Sequence, residues 1–137
     1  MAVMTRSEVL DRVACALLDQ GEPSVGTHPV EGSTDVMCRY RLTKEDGTVL
    51  KCGIGHLIPD ELYDERMEGQ SIGTLLWDPE VGQPSALAEL FGPDDHDFLL
   101  DVQDAHDGES DCESPEPWRT RIVRSLRRVA YNRGVTT

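Results

Sequence analysis

Apolar residues recur at helical spacing near the start of the chain. They occupy one face of an amphipathic helix, in the i, i+3, i+4, i+7 pattern. Thr5 and Glu8 fit a capping box, in which each side chain accepts a hydrogen bond from the other residue's backbone N–H, and Gly21 suits a helix end. We therefore predict a helix over residues 5–20. Its apolar positions are Val9, Leu10, Val13, Ala14 and Leu17.

An alternating apolar pattern comes next, after a segment at 21–35 whose Pro, Gly and small polar residues predict a loop. Two alternating runs, 35–42 and 49–58, flank a turn at Asp46 and Gly47, so we predict an antiparallel β-hairpin. One face of this β-hairpin is expected to lie in the core, with both of its cysteines pointing inward. The inward positions are Cys38, Tyr40, Leu42, Leu50, Cys52 and Ile54.

The second half of the chain predicts mostly helices. Pro59 suits the first position of a helix over 59–66. The pattern as a whole predicts an α+β fold, in which a small antiparallel sheet with a central β-hairpin packs against an N-terminal helix and C-terminal helices in one domain, 1–137. A third strand could come from 28–31 or from 71–76. Further segments are a helical turn at 71–77, a break at 78–84, a short helix at 85–91 and longer helices at 93–106 and 118–133.

Composition argues against several classes of protein. The 137 residues include 13 basic and 26 acidic side chains, a net charge of −13, so we do not expect direct nucleic-acid binding. No apolar run approaches the ~18 residues of a membrane span, and the N-terminus lacks the apolar centre of a signal peptide, which favours a cytoplasmic protein. The four cysteines form no CxxC pair. No nucleophile elbow, Walker loop, dinucleotide fingerprint or HExxH motif occurs, so we expect neither an enzyme nor a cofactor.

Charge is segregated along the chain. Residues 78–114 contain twelve acidic residues and no Lys or Arg, whereas 115–137 contain six Arg and one Glu. In the predicted 93–106 helix, four aspartates spaced three or four residues apart would follow one flank at intervals of about 5–6 Å. This spacing approaches the roughly 6–7 Å between phosphates along a DNA strand. The predicted row is Asp94, Asp97, Asp101 and Asp104, with Leu100 as an apolar contact beside it.

Three interpretations of this aspartate row are open. The row could imitate a nucleic-acid backbone and bind a basic surface of another protein, or it could simply be a solvated face. It could also pair with arginines of the last helix, although exposed pairs of this kind contribute only about 0–1 kcal/mol each. The arginines considered for such pairing are Arg121, Arg124, Arg127 and Arg128.

A second candidate site combines cysteine and histidine. Cys38, Cys52 and His56, with His28, have the composition of a structural zinc site. Their spacing is poor, because four residues of extended strand would separate Cys52 from His56 by about 13 Å unless the glycines between them allow a bend. Inward-facing cysteines on an apolar strand are more often core residues. A metal-binding or ligand-binding domain that uses these residues is the alternative to a binding protein.

The segment CRYRLTKEDGTVLKCGIGHLIPDELYDERMEG resembles a group of small uncharacterised proteins of phages and bacteria. Their pattern is Cys-x-Tyr-Arg, a glycine turn, Lys-Cys-x-Ile-Gly-x-Leu-Ile-Pro-Asp-x-x-Tyr and Met-Glu-Gly, often with a second Cys where this chain has His56. The likeness covers residues 37–69 and, more loosely, 98–130. It supplies no catalytic residue. It implies a phage-encoded protein inside a host cell, so we expect a non-enzymatic acidic binding protein, an inhibitor or nucleic-acid mimic whose partner is a host or cellular protein with a basic surface.

Overall fold

The computed structural model describes residues 3–107 and 116–135. This part of the chain contains four α-helices and three antiparallel sheets of two strands each, which confirms the predicted α+β fold class. None of its helices is both long enough and apolar enough to cross a membrane. The α-helices are α1 (Arg6–Gln20), α2 (Ile72–Leu75), α3 (His96–Asp107) and α4 (Trp118–Asn132).

Helix α1 has the ends that its sequence predicts. The Thr5 hydroxyl accepts a hydrogen bond from the Glu8 N–H at 3.1 Å, and the Glu8 carboxylate accepts one from the Thr5 N–H at 3.2 Å. Gly21 ends the helix in the left-handed conformation, with a φ of 80°, which glycine adopts without steric cost. The buried side chains of α1 are Val9, Leu10, Val13 and Leu17.

The sheets are shorter and more numerous than the pattern predicts. Only the innermost part of the central β-hairpin is confirmed, where Leu42–Thr43 pairs with Val49–Leu50. The 21–35 segment is not all loop, because it contains a strand that pairs with the residues around Cys38. Neither 28–31 nor 71–76 supplies a strand. The strands are β1 (Val25–Thr27), β2 (Val36–Cys38), β3 (Leu42–Thr43), β4 (Val49–Leu50), β5 (Trp77–Asp78) and β6 (Gln83–Pro84).

The predicted long β-hairpin is interrupted because two of its backbone N–H groups donate to a side chain. The N–H groups of Tyr40 and Arg41 donate to the carboxylate of Glu68, at 2.8 and 3.1 Å, instead of to a neighbouring strand. Of the predicted inward positions, Cys38 and Leu42 are only half-buried. The others are buried as predicted: Tyr40, Leu50, Cys52 and Ile54.

The middle of the chain is mostly turns. The predicted helix at 59–66 is wrong: a turn on the carbonyl of Pro59 is followed by a 3₁₀ helix, Glu65–Met67, whose start is capped by Asp64. Ser71 caps α2 as predicted, by accepting from the Thr74 N–H. The predicted break at 78–84 contains part of the β5–β6 pair, and the predicted short helix at 85–91 is a 3₁₀ helix, Ala86–Leu90.

The core lies where α1, α3 and α4 meet the turns that follow β4. Helix α3 begins three residues after its predicted start, because Asp95 turns back and donates its N–H to the Gly92 carbonyl at 3.1 Å. Helix α4 ends within one residue of its prediction. Buried apolar side chains of all these elements form one cluster. Its least exposed members are Val9, Val13, Leu17, Ile54, Ile72, Phe98, Leu99, Val102 and Ile122.

Candidate protein-binding surface

The start of α3 is organised by the buried carboxylate of Asp95. This residue is 7% exposed, and its carboxylate accepts hydrogen bonds from the Gly92 N–H at 3.1 Å and from Arg6 Nε at 2.7 Å. Its backbone carbonyl accepts the Leu99 N–H at 2.8 Å and so begins the helix. The Arg6 guanidinium also lies 5.1 Å from the centre of the Phe98 ring. These contacts tie α1 to the start of α3.

Three of the four aspartates predicted to form a row are exposed to solvent. Asp94 lies ahead of α3, so the row loses the regular helical spacing of its first member. Asp97 carries its Oδ1 3.2 Å from Nδ1 of the exposed His96. Asp104 lies about two helical turns after Asp97. Among the described residues, none of the three aspartates forms an ion pair with Lys or Arg. We call Asp94, Asp97 and Asp104 the acidic face.

The fourth aspartate of the predicted row is neutralised within the chain. The Asp101 carboxylate accepts from the Arg133 guanidinium at 2.6 Å. The Asp101 hydrogen bond raises the pKa of Arg133. Arg133 was not among the arginines considered for this pairing, and one of those that were, Arg124, pairs with Glu116 at 2.8 Å instead. In the described residues the row is therefore paired at Asp101 alone, by a residue that directly follows α4 and is not one of the four predicted arginines.

Leu100 is not the free apolar contact that its helical position predicts. It is half-buried, packs against the core and lies beside Gly73 of α2. The side of α3 opposite Phe98 therefore contacts another helix of the same chain. This correction removes Leu100 from the surface that a partner could use.

An apolar groove of about 350 Å³ lies next to the acidic face. Trp77 lines it and is 51% exposed, which is unusual for so large an apolar side chain. His96 and Pro93 of the groove are sequence neighbours of Asp97 and Asp94. No pattern in the sequence predicts this groove, because its parts come from separate segments. The principal lining residues are Leu76, Trp77, Pro84, Phe91, Pro93 and His96.

The four residues of the alternative metal site are not assembled into one. No three His, Cys, Asp or Glu side chains within 3–107 and 116–135 are placed to hold a metal ion. His28 Nε2 instead lies 3.2 Å from the Glu68 carbonyl, and Cys52 Sγ accepts from a backbone N–H. His56 Nε2 lies 3.1 Å from Gln20 Oε1. Burial, with Lys51 nearby, lowers the pKa of His56 to about 4.

Cys38 and Cys52 do line a common groove, of about 370 Å³, together with Asp104. Its polar floor is already bonded within the chain. Gln103 donates to the Tyr40 hydroxyl at 2.8 Å and accepts the N–H of Ile72, also at 2.8 Å. These hydrogen bonds help to hold α2 against α3, so the polar groups at the floor of the groove have a structural role.

The buried carboxylate of Glu68 is the centre of a further polar cluster, which no pattern in the sequence predicts. Glu68 has no exposed side-chain surface and accepts from the N–H groups of Tyr40 and Arg41. The Tyr63 hydroxyl donates to it at 2.7 Å, and the Arg39 guanidinium lies 3.7 Å away. Burial and this hydrogen bond raise the pKa of Tyr63 to about 12. Residues from the Cys-x-Tyr-Arg, Pro-Asp-x-x-Tyr and Met-Glu-Gly parts of the quoted pattern therefore meet in space.

Comparisons with protein-family models, with curated proteins and with solved structures find no match for this chain. The resemblance to phage and bacterial proteins stays a prediction.

Proposed function

We propose that this chain is a non-enzymatic binding protein that uses its acidic face to bind a basic surface of another protein. The observation that carries the proposal is that the carboxylates of Asp94, Asp97 and Asp104 are exposed and, within the described residues, without Lys or Arg partners. Elsewhere the chain does neutralise aspartates near α3: Arg6 bonds Asp95 and Arg133 bonds Asp101. Arg133 also interacts electrostatically with Asp97 but forms no ion pair with it in the described residues, so the acidic face retains unpaired carboxylates for an outside partner.

The sequence around the acidic face strengthens its negative potential. Between Arg66 and Arg119 the chain has no Lys or Arg at all, and its net charge is −13. A concentrated field of one sign accelerates encounter with an oppositely charged surface and rejects surfaces of its own sign. Within a Debye length of about 8 Å, this field acts on any basic partner that approaches α3.

The partner that fits best is a basic protein surface, such as one that handles nucleic acid in a host cell. The resemblance to phage proteins suggests that binding would inhibit that host protein. Close imitation of a DNA backbone is less favoured, because Asp94 lies outside the helix and Asp101 is paired with Arg133. The acidic face therefore supports recognition by charge more than by a phosphate-like spacing.

The test compares neutralisation of the acidic face with neutralisation elsewhere. In one variant Asp94, Asp97 and Asp104 are changed to Asn. The matched control replaces three other exposed carboxylates by amides and so removes the same total charge. The probe is a deca-arginine peptide, with binding measured by calorimetry at low and physiological ionic strength. The control substitutions are Asp19→Asn, Glu31→Gln and Glu45→Gln.

We expect the acidic-face variant to bind the peptide about fivefold more weakly than the control, with a shallower dependence on salt, because local carboxylates contribute most to the field at α3. Equal weakening in the two variants would mean that only total charge matters and would overturn the proposal. Affinity purification from host cells then identifies the partner: a basic protein retained by the wild type and the control but not by the acidic-face variant.

A further inference from the structure

We propose that the apolar groove receives a large apolar side chain from a basic segment of the partner. This inference rests on the proposed function and adds the chemistry of the bound segment: an apolar anchor flanked by Arg or Lys. The groove is the space of about 350 Å³ lined by Leu76, Trp77, Pro84, Phe91, Pro93 and His96.

The groove has the shape and surface of an anchor site. Its volume lies in the range of pockets that hold small molecules or single large side chains. Its lining includes the half-exposed indole of Trp77 and the buried ring of Phe91. Trp is among the residues that contribute most to protein interfaces, because it contributes a large apolar area at little entropic cost. An apolar side chain placed here would exclude water from Trp77.

The charges around the groove select a basic segment. Glu89 lines the groove and is exposed, and Asp94 and Asp97 follow directly on two of its lining residues. No Lys or Arg of the described ranges lines it. Guanidinium groups beside the anchor could pair with these carboxylates and lie over the Trp77 ring in a cation–π contact. A second copy of the chain approaching with the same face would instead bring two acidic surfaces together.

The other occupant to test is the Arg-rich helix of a second copy. The exposed residues Arg119, Arg124 and Arg127 of α4 could enter the groove of a neighbour. Such a contact joins different surfaces and therefore builds open chains unless its rotation closes a ring. It would appear as self-association that grows with concentration and disappears when these three arginines are changed to Gln.

The experiment uses two synthetic peptides that differ only at the anchor. Both carry four basic residues on each side of a central pair, which is Leu-Phe in the anchored peptide and Ser-Ser in the matched one. The reporter is Trp118→Phe, which leaves Trp77 as the sole tryptophan. This change costs no hydrogen bond among the described residues, because Trp118 Nε1 has no partner there. Binding is followed by Trp77 fluorescence.

We expect the anchored peptide to bind about tenfold more tightly than the Ser-Ser peptide and to shift Trp77 emission to shorter wavelength. Trp77→Ser, followed by calorimetry, should remove that tenfold preference. The control Val81→Ser changes another exposed apolar residue near Trp77 that does not line the groove, and should keep the preference within twofold.

The outcomes separate this inference from the proposed function. Equal binding of both peptides overturns the apolar anchor but leaves binding through the acidic face intact. Failure of both peptides to bind overturns both. Sedimentation velocity that reveals self-association, lost in Trp77→Ser and in the Arg119, Arg124 and Arg127 variant alike, would assign the groove to a second copy and would also overturn the inference.

Discussion

The acidic side chains of this protein exist in two contrasting settings. The Glu68 carboxylate is buried without exposed surface, and two backbone N–H groups, the Tyr63 hydroxyl and the Arg39 guanidinium surround it. The carboxylates of Asp94 and Asp104, by contrast, face solvent without a Lys or Arg partner in the described part of the chain. The same chemical group holds the structure together in one region and is available to a partner in the other.

The contrast follows from the cost of removing a charge from water. A buried carboxylate is tolerated only when hydrogen bonds and an opposite charge replace its hydration, so Glu68 must be surrounded by donors. An exposed carboxylate keeps its water and needs no partner, which leaves its field free to act outward. Stability should therefore respond strongly to changes at Glu68 and weakly to changes at the acidic face.

The largest effect is expected for Glu68→Gln. In the wild type, Oε1 accepts the Tyr40 N–H, and Oε2 accepts both the Arg41 N–H and the Tyr63 hydroxyl. The amide has one acceptor oxygen, so its NH₂ group would replace one of these two acceptors, and at least one buried N–H would lose its partner. We expect the free energy of unfolding to fall by about 3 kcal/mol, the range found when one partner of a buried ion pair is removed. The midpoint of urea unfolding measures this loss.

The control for this change is Glu65→Gln. Glu65 is an exposed acid three residues earlier, and its substitution should change the free energy of unfolding by no more than about 0.5 kcal/mol. If Glu68→Gln proves as harmless as Glu65→Gln, the cluster is not a structural centre and the contrast between the two settings is wrong.

An intermediate effect is expected for Asp95→Ala. The substitution removes the acceptor of the Gly92 N–H and the partner of Arg6, which joins α1 to α3. We expect a loss of about 1–2 kcal/mol, because removal of one partner leaves the other groups of a part-buried hydrogen-bond pair unsatisfied. Asp94→Ala, one residue earlier but exposed, should cost at most about 0.5 kcal/mol in the same urea titration. A loss at Asp94 that matched the loss at Asp95 would contradict the assignment of the two neighbours.

Local signals in the sequence were sufficient for α1 and α4, although they also predicted a helix at 59–66 where the structure has a turn and a 3₁₀ helix. The apolar period and the capping pair of Thr5 and Glu8 predicted α1, and the period alone predicted α4, because both depend on residues a few positions apart. The same holds for the Ser71 cap of α2. The α+β class followed from combining these helices with the alternating pattern around Asp46 and Gly47.

Features that depend on distant residues could not be predicted this way. Glu68 interrupts the predicted β-hairpin by accepting hydrogen bonds from N–H groups 27 and 28 residues away. The residues next to Glu68 in the sequence do not indicate these contacts. Asp101 likewise forms an ion pair with Arg133, which lies 32 residues away in the chain. The apolar groove likewise combines α2, β6 and the start of α3, so no local pattern in the sequence indicates it.

The smallest effect concerns His56, a half-buried group between the two extremes. Burial, and after it Lys51, lower its pKa to about 4, against about 6.5 in an unfolded chain. The neutral ring is therefore favoured by folding: this stabilisation is complete above pH 6.5 and is lost as the pH falls towards 4. Because solvent screens a half-exposed ring, we expect wild type to lose only about 1 kcal/mol more than His56→Gln between neutral pH and pH 4.5. Urea unfolding at both pH values measures this, and an NMR titration of Lys51→Gln should find a higher pKa for His56. Parallel losses in wild type and His56→Gln would show that the ring is solvated like the acidic face.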